Sequence, residues 1–179
     1  MRKLVLSAVI LIMVIFSISC STVRVSVNYD DTVNFNRYEA YSLVKAPRNK
    51  ENRKGTVRNP LLKKEILNQI KTIFSEKGYT EAESKENADF LVIFYTNVQN
   101  KKDWVPPTYH TGRWGRIHRV RPGHTIHYKE GTLIIDIVDQ EQKELVWQGV
   151  GKDVLNRVNP EENFVSSVRE ILKDFPPSE

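Results

Sequence analysis

Four histidines, His110, His118, His124 and His127, fall within one short stretch of this 179-residue chain. Imidazole suits zinc, copper and nickel, so a metal centre is the first chemistry to weigh. The spacing argues against it. No pair is four apart, as a helical site requires, and no cysteine or carboxylate is interleaved. On a strand, His124 and His127 would point to opposite faces. The expectation is no metal and no cofactor. Glu130, Asp136 and Asp139 are the carboxylates nearest the most apolar part of the chain. A paired-carboxylate hydrolase needs two of them across one cleft. Asp136 and Asp139 are three apart and face opposite ways, and Asp139 opens a polar run that suits a turn. A carboxylate in an apolar strand needs a partner, so Asp136 is expected to pair with an arginine or a loop amide. No GxSxG, HExxH, P-loop or GxGxxG occurs. No catalytic residue is assigned.

The same region carries a second signal. Lys101 to Thr125 holds Lys101, Lys102, Arg113, Arg116, Arg119 and Arg121 against Asp103 alone, with Trp104, Tyr109 and Trp114 interleaved. Basic and aromatic residues together suit a surface that meets polyanions or a membrane interface. The candidate binding residues are Arg113, Arg116, Arg119, Arg121, Trp104 and Trp114. A plainer account is a long solvated loop between strands. The whole chain carries 27 Lys+Arg against 22 Asp+Glu. Such mild, scattered basicity does not argue for nucleic acid.

Residues 1–19 have the layout of a signal peptide: Arg2 and Lys3, an apolar run from Leu4 to Phe16, then small residues. The run is shorter than the roughly 20 residues of a membrane-spanning helix. Cys20, the lone cysteine, follows at once, so no internal disulfide can form. Ser17-Ile18-Ser19-Cys20 resembles a bacterial lipobox, in which the cysteine is acylated and becomes the mature N-terminus. Ser21 in place of Asp favours the outer membrane, facing the periplasm. The expected organisation is a signal peptide over 1–19 and a single lipoprotein domain over 20–179. Without Arg2 and Lys3 the balance is 25 against 22, or +3.

The elements that must position these groups are legible in outline. Val23 to Tyr29 alternates as a half-buried strand, and Tyr38 to Val44 suggests a second. Lys45 to Arg58 is basic and polar and suits a surface loop. Asn59-Pro60 opens a helix whose stripe is Leu62, Ile66, Ile70, Ile73 and Phe74, closed by Gly78. Asp89 to Gln99 and Thr132 to Val138 are apolar on both faces at their cores and read as internal strands. Asp139 to Lys143 is a hairpin turn, and Leu145 and Trp147 then alternate, so both are expected on one buried face. Asn159-Pro160 opens a second helix with stripe Phe164, Val168, Ile171, Leu172 and Phe175. The order β-β-α-β-β-β-α gives an α+β two-layer sandwich, a mainly antiparallel sheet with both helices on one face.

Several segments, taken in order, resemble the bacterial lipoprotein family called domain of unknown function 4136. They are Val25 to Asp30, Phe35 to Tyr38, Asn59 to Leu61, Lys77 to Tyr79, Ala88 to Val92, Glu130 to Asp136 and Leu145 to Gly149. The resemblance spans nearly all of the mature chain. It implies an envelope lipoprotein with an α+β domain and carries over no catalytic residue. The expected function is a non-enzymatic binding or assembly module, held on a membrane by its N-terminal lipid. Its partner would be anionic lipid, lipopolysaccharide or an acidic envelope protein. The alternatives are a small hydrolase or metal-dependent enzyme using the His-rich stretch 101–128, and a purely structural envelope protein.

Overall fold

Leu133, Ile135 and Ile137 sit at the centre of the molecule, each buried on the face of the sheet that the helices cover. The structure is a computed structural model. It describes residues 23–46, 59–111, 117–155 and 160–177, with backbone alone at 109–111, 117–120 and 160–161. The elements in chain order are β1 (Arg24–Tyr29), β2 (Ala40–Leu43), α1 (Pro60–Glu76), β3 (Thr80–Glu81), β4 (Phe90–Val105), β5 (Thr108–Thr111), β6 (Ile117–Arg121), β7 (His124–Asp139), β8 (Leu145–Val154) and α2 (Pro160–Leu172). Short 3-10 turns occupy Phe35–Arg37 and Lys85–Asn87.

Six strands form one sheet in the order β1-β8-β7-β4-β2-β3. The β1, β8, β7 and β4 neighbours are antiparallel, while β2 runs parallel to both β3 and β4. The fold is α+β, as the pattern indicates. Strand β7 is internal to the sheet, and its segment Thr132 to Val138 is apolar on both faces. Strand β1 is an edge strand, and Val25 and Tyr29 are more open than their clean alternation suggests.

Helix α1 forms where its caps are good. The Asn59 side chain accepts from the Leu61 N–H at 2.9 Å, and Pro60 has no N–H to leave unpaired. At the other end Gly78 takes φ +90°, and Tyr79 N–H donates to Phe74 C=O at 2.9 Å. Gly78 N–H donates to Ser75 C=O at 3.1 Å, and the Tyr79 ring packs edge-on against Phe74. That is a Schellman close with its hydrophobic contact. The stripes of α1 and α2 are buried as expected. Phe74, Phe90, Phe175 and Trp147 form an aromatic cluster between sheet and helices. Among the described residues the buried core runs from Phe35 to Phe175.

Two local expectations are corrected. Trp147 is fully buried, but Leu145 does not share its face; it is 52% exposed. The register moves from Ile137↔Trp147 to Val138↔Leu145, leaving Val146 as an extra residue. This β-bulge turns Val146 and Trp147 both inward and Leu145 out. The strand count also rises by three. Strand β3 has only two residues, too few to show a period. Strands β5 and β6 lie in the stretch read as a loop.

Candidate binding arm at one end of the sheet

The described residues of the stretch from Lys101 to Thr125 form a β-ribbon rather than a solvated loop. Strands β4 and β7 remain paired in unbroken register from Phe90↔Asp139 to Val105↔His124. Neighbouring strands stop much earlier. The last β2 pair is Leu43↔Val92, and β8 begins its pairing with β7 at Glu130↔Val154. From Asn100↔Lys129 outward, only two strands of the main sheet continue. Pro106-Pro107 and Pro122-Gly123 then stand symmetrically about the last pair. Proline cannot donate to the ladder, so the ribbon breaks there. The chain re-pairs beyond them as β5 and β6.

The register assigns each side chain to a face. Lys102, Trp104, His127 and Lys129 share one face of the arm; Lys101, Asp103, Val105, Tyr128, Ile126 and His124 share the other. The first face is cationic and aromatic. His124 and His127 lie on opposite faces, as their spacing implies. Among the described residues no cluster of metal-ligating side chains occurs. Trp104 is 59% exposed, and its ring lies beside Gly123 at the break in the ribbon. A Cβ on Gly123 would come within 2.3 Å of its ring, and Pro107 borders the same position. On the other face Lys101 reaches Glu130 at 3.8 Å. Of the other candidate residues, Arg121 is exposed and pairs with Thr108. Arg119 lies opposite Tyr109 in the β6 backbone. Arg113, Arg116, Trp114 and Cys20 lie outside the described residues.

The strand directions carry a further fact. Arg24 is level with Lys152, Lys152 with Thr132, and Thr132 with Asn97. The N-terminal strand therefore starts at the end of the sheet from which the arm projects. Eight residues separate that row from Val105, a rise of about 27 Å at strand spacing.

The opposite end is built from turns rich in carboxylates: Asp30, Asp31, Glu86, Asp89, Asp139, Glu141 and Glu144. A cleft of about 390 Å³ opens there, lined by Arg37, Tyr38, Glu86, Asp89, Asp139 and Glu141 among others. Its carboxylates hold the structure together. Asp139 Oδ2 takes the Arg37 guanidinium and the Tyr38 hydroxyl, the latter at 2.7 Å. Its Oδ1 accepts from the Glu141 and Gln142 N–H groups at 2.8 Å each. Burial opposes the charge on Asp139, but the Gln142 N–H, Tyr38 and Arg37 outweigh it and hold the carboxyl below its usual range. Asp89 accepts from the Glu39 and Ala40 N–H groups at 2.9 and 2.8 Å. Asp136 pairs across the sheet with the Gln148 amide at 2.7 Å. The amide expected for Asp136 comes from a strand rather than a loop, and the arginine goes to Asp139. A second cleft, of about 350 Å³, lies beside the end of β2. Among the described residues neither cleft has a histidine in its wall.

The sequence profile of the family described as Domain of unknown function (DUF4136) matches residues 25–177. The chain belongs to this family. A DUF4136 family protein from Bacteroides thetaiotaomicron superposes with TM-score 0.55 at 15% identity, covering 88% of this chain and 97% of that one. A PDZ domain protein from Parabacteroides distasonis gives TM-score 0.54 at 15% identity; 93% of this chain matches 39% of its length. The PelC dodecamer from Paraburkholderia phytofirmans gives 0.51 at 11% identity, over 88% of this chain and all of the other. These likenesses establish the DUF4136 fold. No curated protein matches the sequence.

Proposed function

We propose that this DUF4136 protein is a non-enzymatic envelope lipoprotein, anchored through Cys20 on the periplasmic face of the outer membrane, whose arm binds anionic surfaces there. The observation that supports this most is the shared end: the arm leaves the sheet where β1 begins. A chain acylated at Cys20 would have four residues to reach Arg24, at most about 14 Å. The arm is about twice that long. Such a tether brings the arm to the head groups. Each Lys or Arg near an anionic surface contributes about 1 kcal/mol, and an exposed Trp suits the interface.

The test uses a soluble form beginning at Ser21, mixed with anionic and neutral liposomes at low and high salt. Binding should be confined to anionic vesicles and weaken with salt. Glutamine at Arg113, Arg116, Arg119 and Arg121, or at Lys102 and Lys129, should weaken it by about thirtyfold for each two charges removed. Equal binding to both vesicle types, or no loss in these variants, rejects the arm as a binding element. The anchor has its own test. Mass spectrometry of the mature N-terminus should show an acylated Cys20, and Cys20→Ala should remove the lipid. A bare Cys20 or cleavage elsewhere contradicts it. Self-assembly is a second reading, favoured by the open edges of the ribbon and by the dodecamer that PelC forms. Light scattering of the soluble form distinguishes it.

A further inference from the structure

The two edges of the six-stranded sheet are unlike. Strand β3 closes one side with two residues, too few to template another strand. Strand β1 closes the other with six, unbroken by proline or bulge, and all but Val27 are exposed. Asp30 N–H donates to Val146 C=O at 2.9 Å, which sets the alternation of the ladder between β1 and β8. Arg24, Ser26 and Asn28 therefore bond to β8, while Val25, Val27 and Tyr29 turn their N–H and C=O groups outward. Among the described residues no strand meets those groups. The outward residues are also apolar, with Val25 37% and Tyr29 49% exposed. Such an edge is a template for a further strand.

Its own sequence fits it. A second β1 laid antiparallel and centred on Val27 bonds Val27 to Val27 and Val25 to Tyr29. This register uses all three outward residues of both copies. A shift of two residues either way leaves Val25 or Tyr29 beyond the other copy's strand. The centred register also sets Arg24 of each copy opposite Asp30 of the other. They form a pair without backbone bonds, where side chains across a sheet stand closest. Asp30 Oδ1 accepts from the Thr32 N–H and Oγ at 2.9 and 2.7 Å, which holds the carboxylate at the strand end. Unlike charges thus meet at both ends of the pairing, with apolar side chains between them. We propose that β1 is a self-pairing edge, on which a second copy of this chain docks its own β1 antiparallel about Val27 and joins two sheets into one. Six residues of strand span about 20 Å. So narrow an edge buries less than the roughly 1,200 Å² of a stable interface, and the pair is reversible. The two arms leave opposite ends of the joined sheet, so the pair must part before both arms lie on one bilayer. Pairing does not depend on the membrane reading, and lipid is left out of its test.

The soluble form from Ser21 is followed by sedimentation equilibrium from micromolar to millimolar concentration. A reversible equilibrium between monomer and dimer should appear. Arg24→Asp and Asp30→Lys, both at exposed positions, should each raise the dissociation constant about tenfold or more, because like charges then face each other twice. Mixing these two variants should restore pairing, since every facing pair is again opposite in sign. Val27→Pro removes an N–H that β8 does not use, so it should keep the circular dichroism and abolish the dimer. The charge variants decide the matter if Val27→Pro unfolds. Self-assembly through the ribbon would survive Arg24→Asp, which separates the two routes. A monomer at every concentration, a dimer that survives Arg24→Asp, or a mixture of the charge variants that stays monomeric overturns the proposal.

Discussion

Asp139 gathers four bonds at a single carboxylate and so fixes three separate pieces of chain: the Arg37-Tyr38 segment, the hairpin turn and the end of β7. Arg37 reaches solvent, so removing the carboxylate strands no buried cation. The cost of Asp139→Asn is then that of hydrogen bonds to a charge, about 1.5–3 kcal/mol at neutral pH. Its folded pKa lies below the ordinary 3.8, so this stabilisation is complete above that value and fades as pH falls through the folded pKa. Urea melts should show the wild type and Asp139→Asn converging as pH drops from 5 to about 2.5; a constant gap contradicts the assignment. Buried tyrosines contribute to the loss of stability in alkali. Burial, then the bond to Asp139, pushes Tyr38 up to about 12, and burial, then Glu81, does the same for Tyr41. A raised pKa stabilises fully below the unfolded value of 10.0, and that contribution is lost as pH climbs towards 12. Tyr38→Phe and Tyr41→Phe should each flatten the fall in melting temperature across that interval.

Helix α2 seats on β8 because two glycines let it. A Cβ on Gly149 would stand 2.3 Å from Ile171 Cγ2 and 2.4 Å from the Trp147 ring, and one on Gly151 would stand 2.8 Å from Ile171 Cδ1. Gly149→Ala should therefore cost about 1–3 kcal/mol by overpacking. Trp147→Ala should cost about 3–5 kcal/mol. Trp147→Phe should cost much less, since among the described residues the buried Trp147 Nε1 has no hydrogen-bond partner to lose. Denaturant melts of the three variants check the order. The helices were legible in the sequence because their caps and stripes are local signals. The second half of β7, Thr132 to Val138, was legible because it lies inside the sheet and is apolar on both faces. The bulge at Val146 was not, since an inserted residue shows only against a partner strand. The arm was hidden for a related reason. Neither of its faces packs on a core, so no period of two marks it, and its residues look like a polar loop. The paired breaks at Pro106-Pro107 and Pro122-Gly123 were the one available sign.

At the scale of the molecule, the arm is separable from what keeps the domain folded. No core residue of the described structure lies between Val98 and Leu133. Replacing residues 100–129 with an Asn-Gly turn should leave the thermal melt within a few degrees while abolishing vesicle binding. A collapsed melt would show the arm to be structural. The carboxylate-rich turns at one end and the excess of lysine and arginine at the arm end have a consequence for how the protein meets a surface. Lys45, Lys63, Lys102, Arg121, Lys129 and Lys152 stand on one side of the sheet's midline, and Asp30, Asp31, Glu86, Asp89 and Glu144 on the other. Opposite charges separated along one axis make a large molecular dipole. An anionic bilayer exerts a torque on such a dipole within about one Debye length, roughly 8 Å at physiological salt. The protein would thus rotate arm-first before any residue touches lipid.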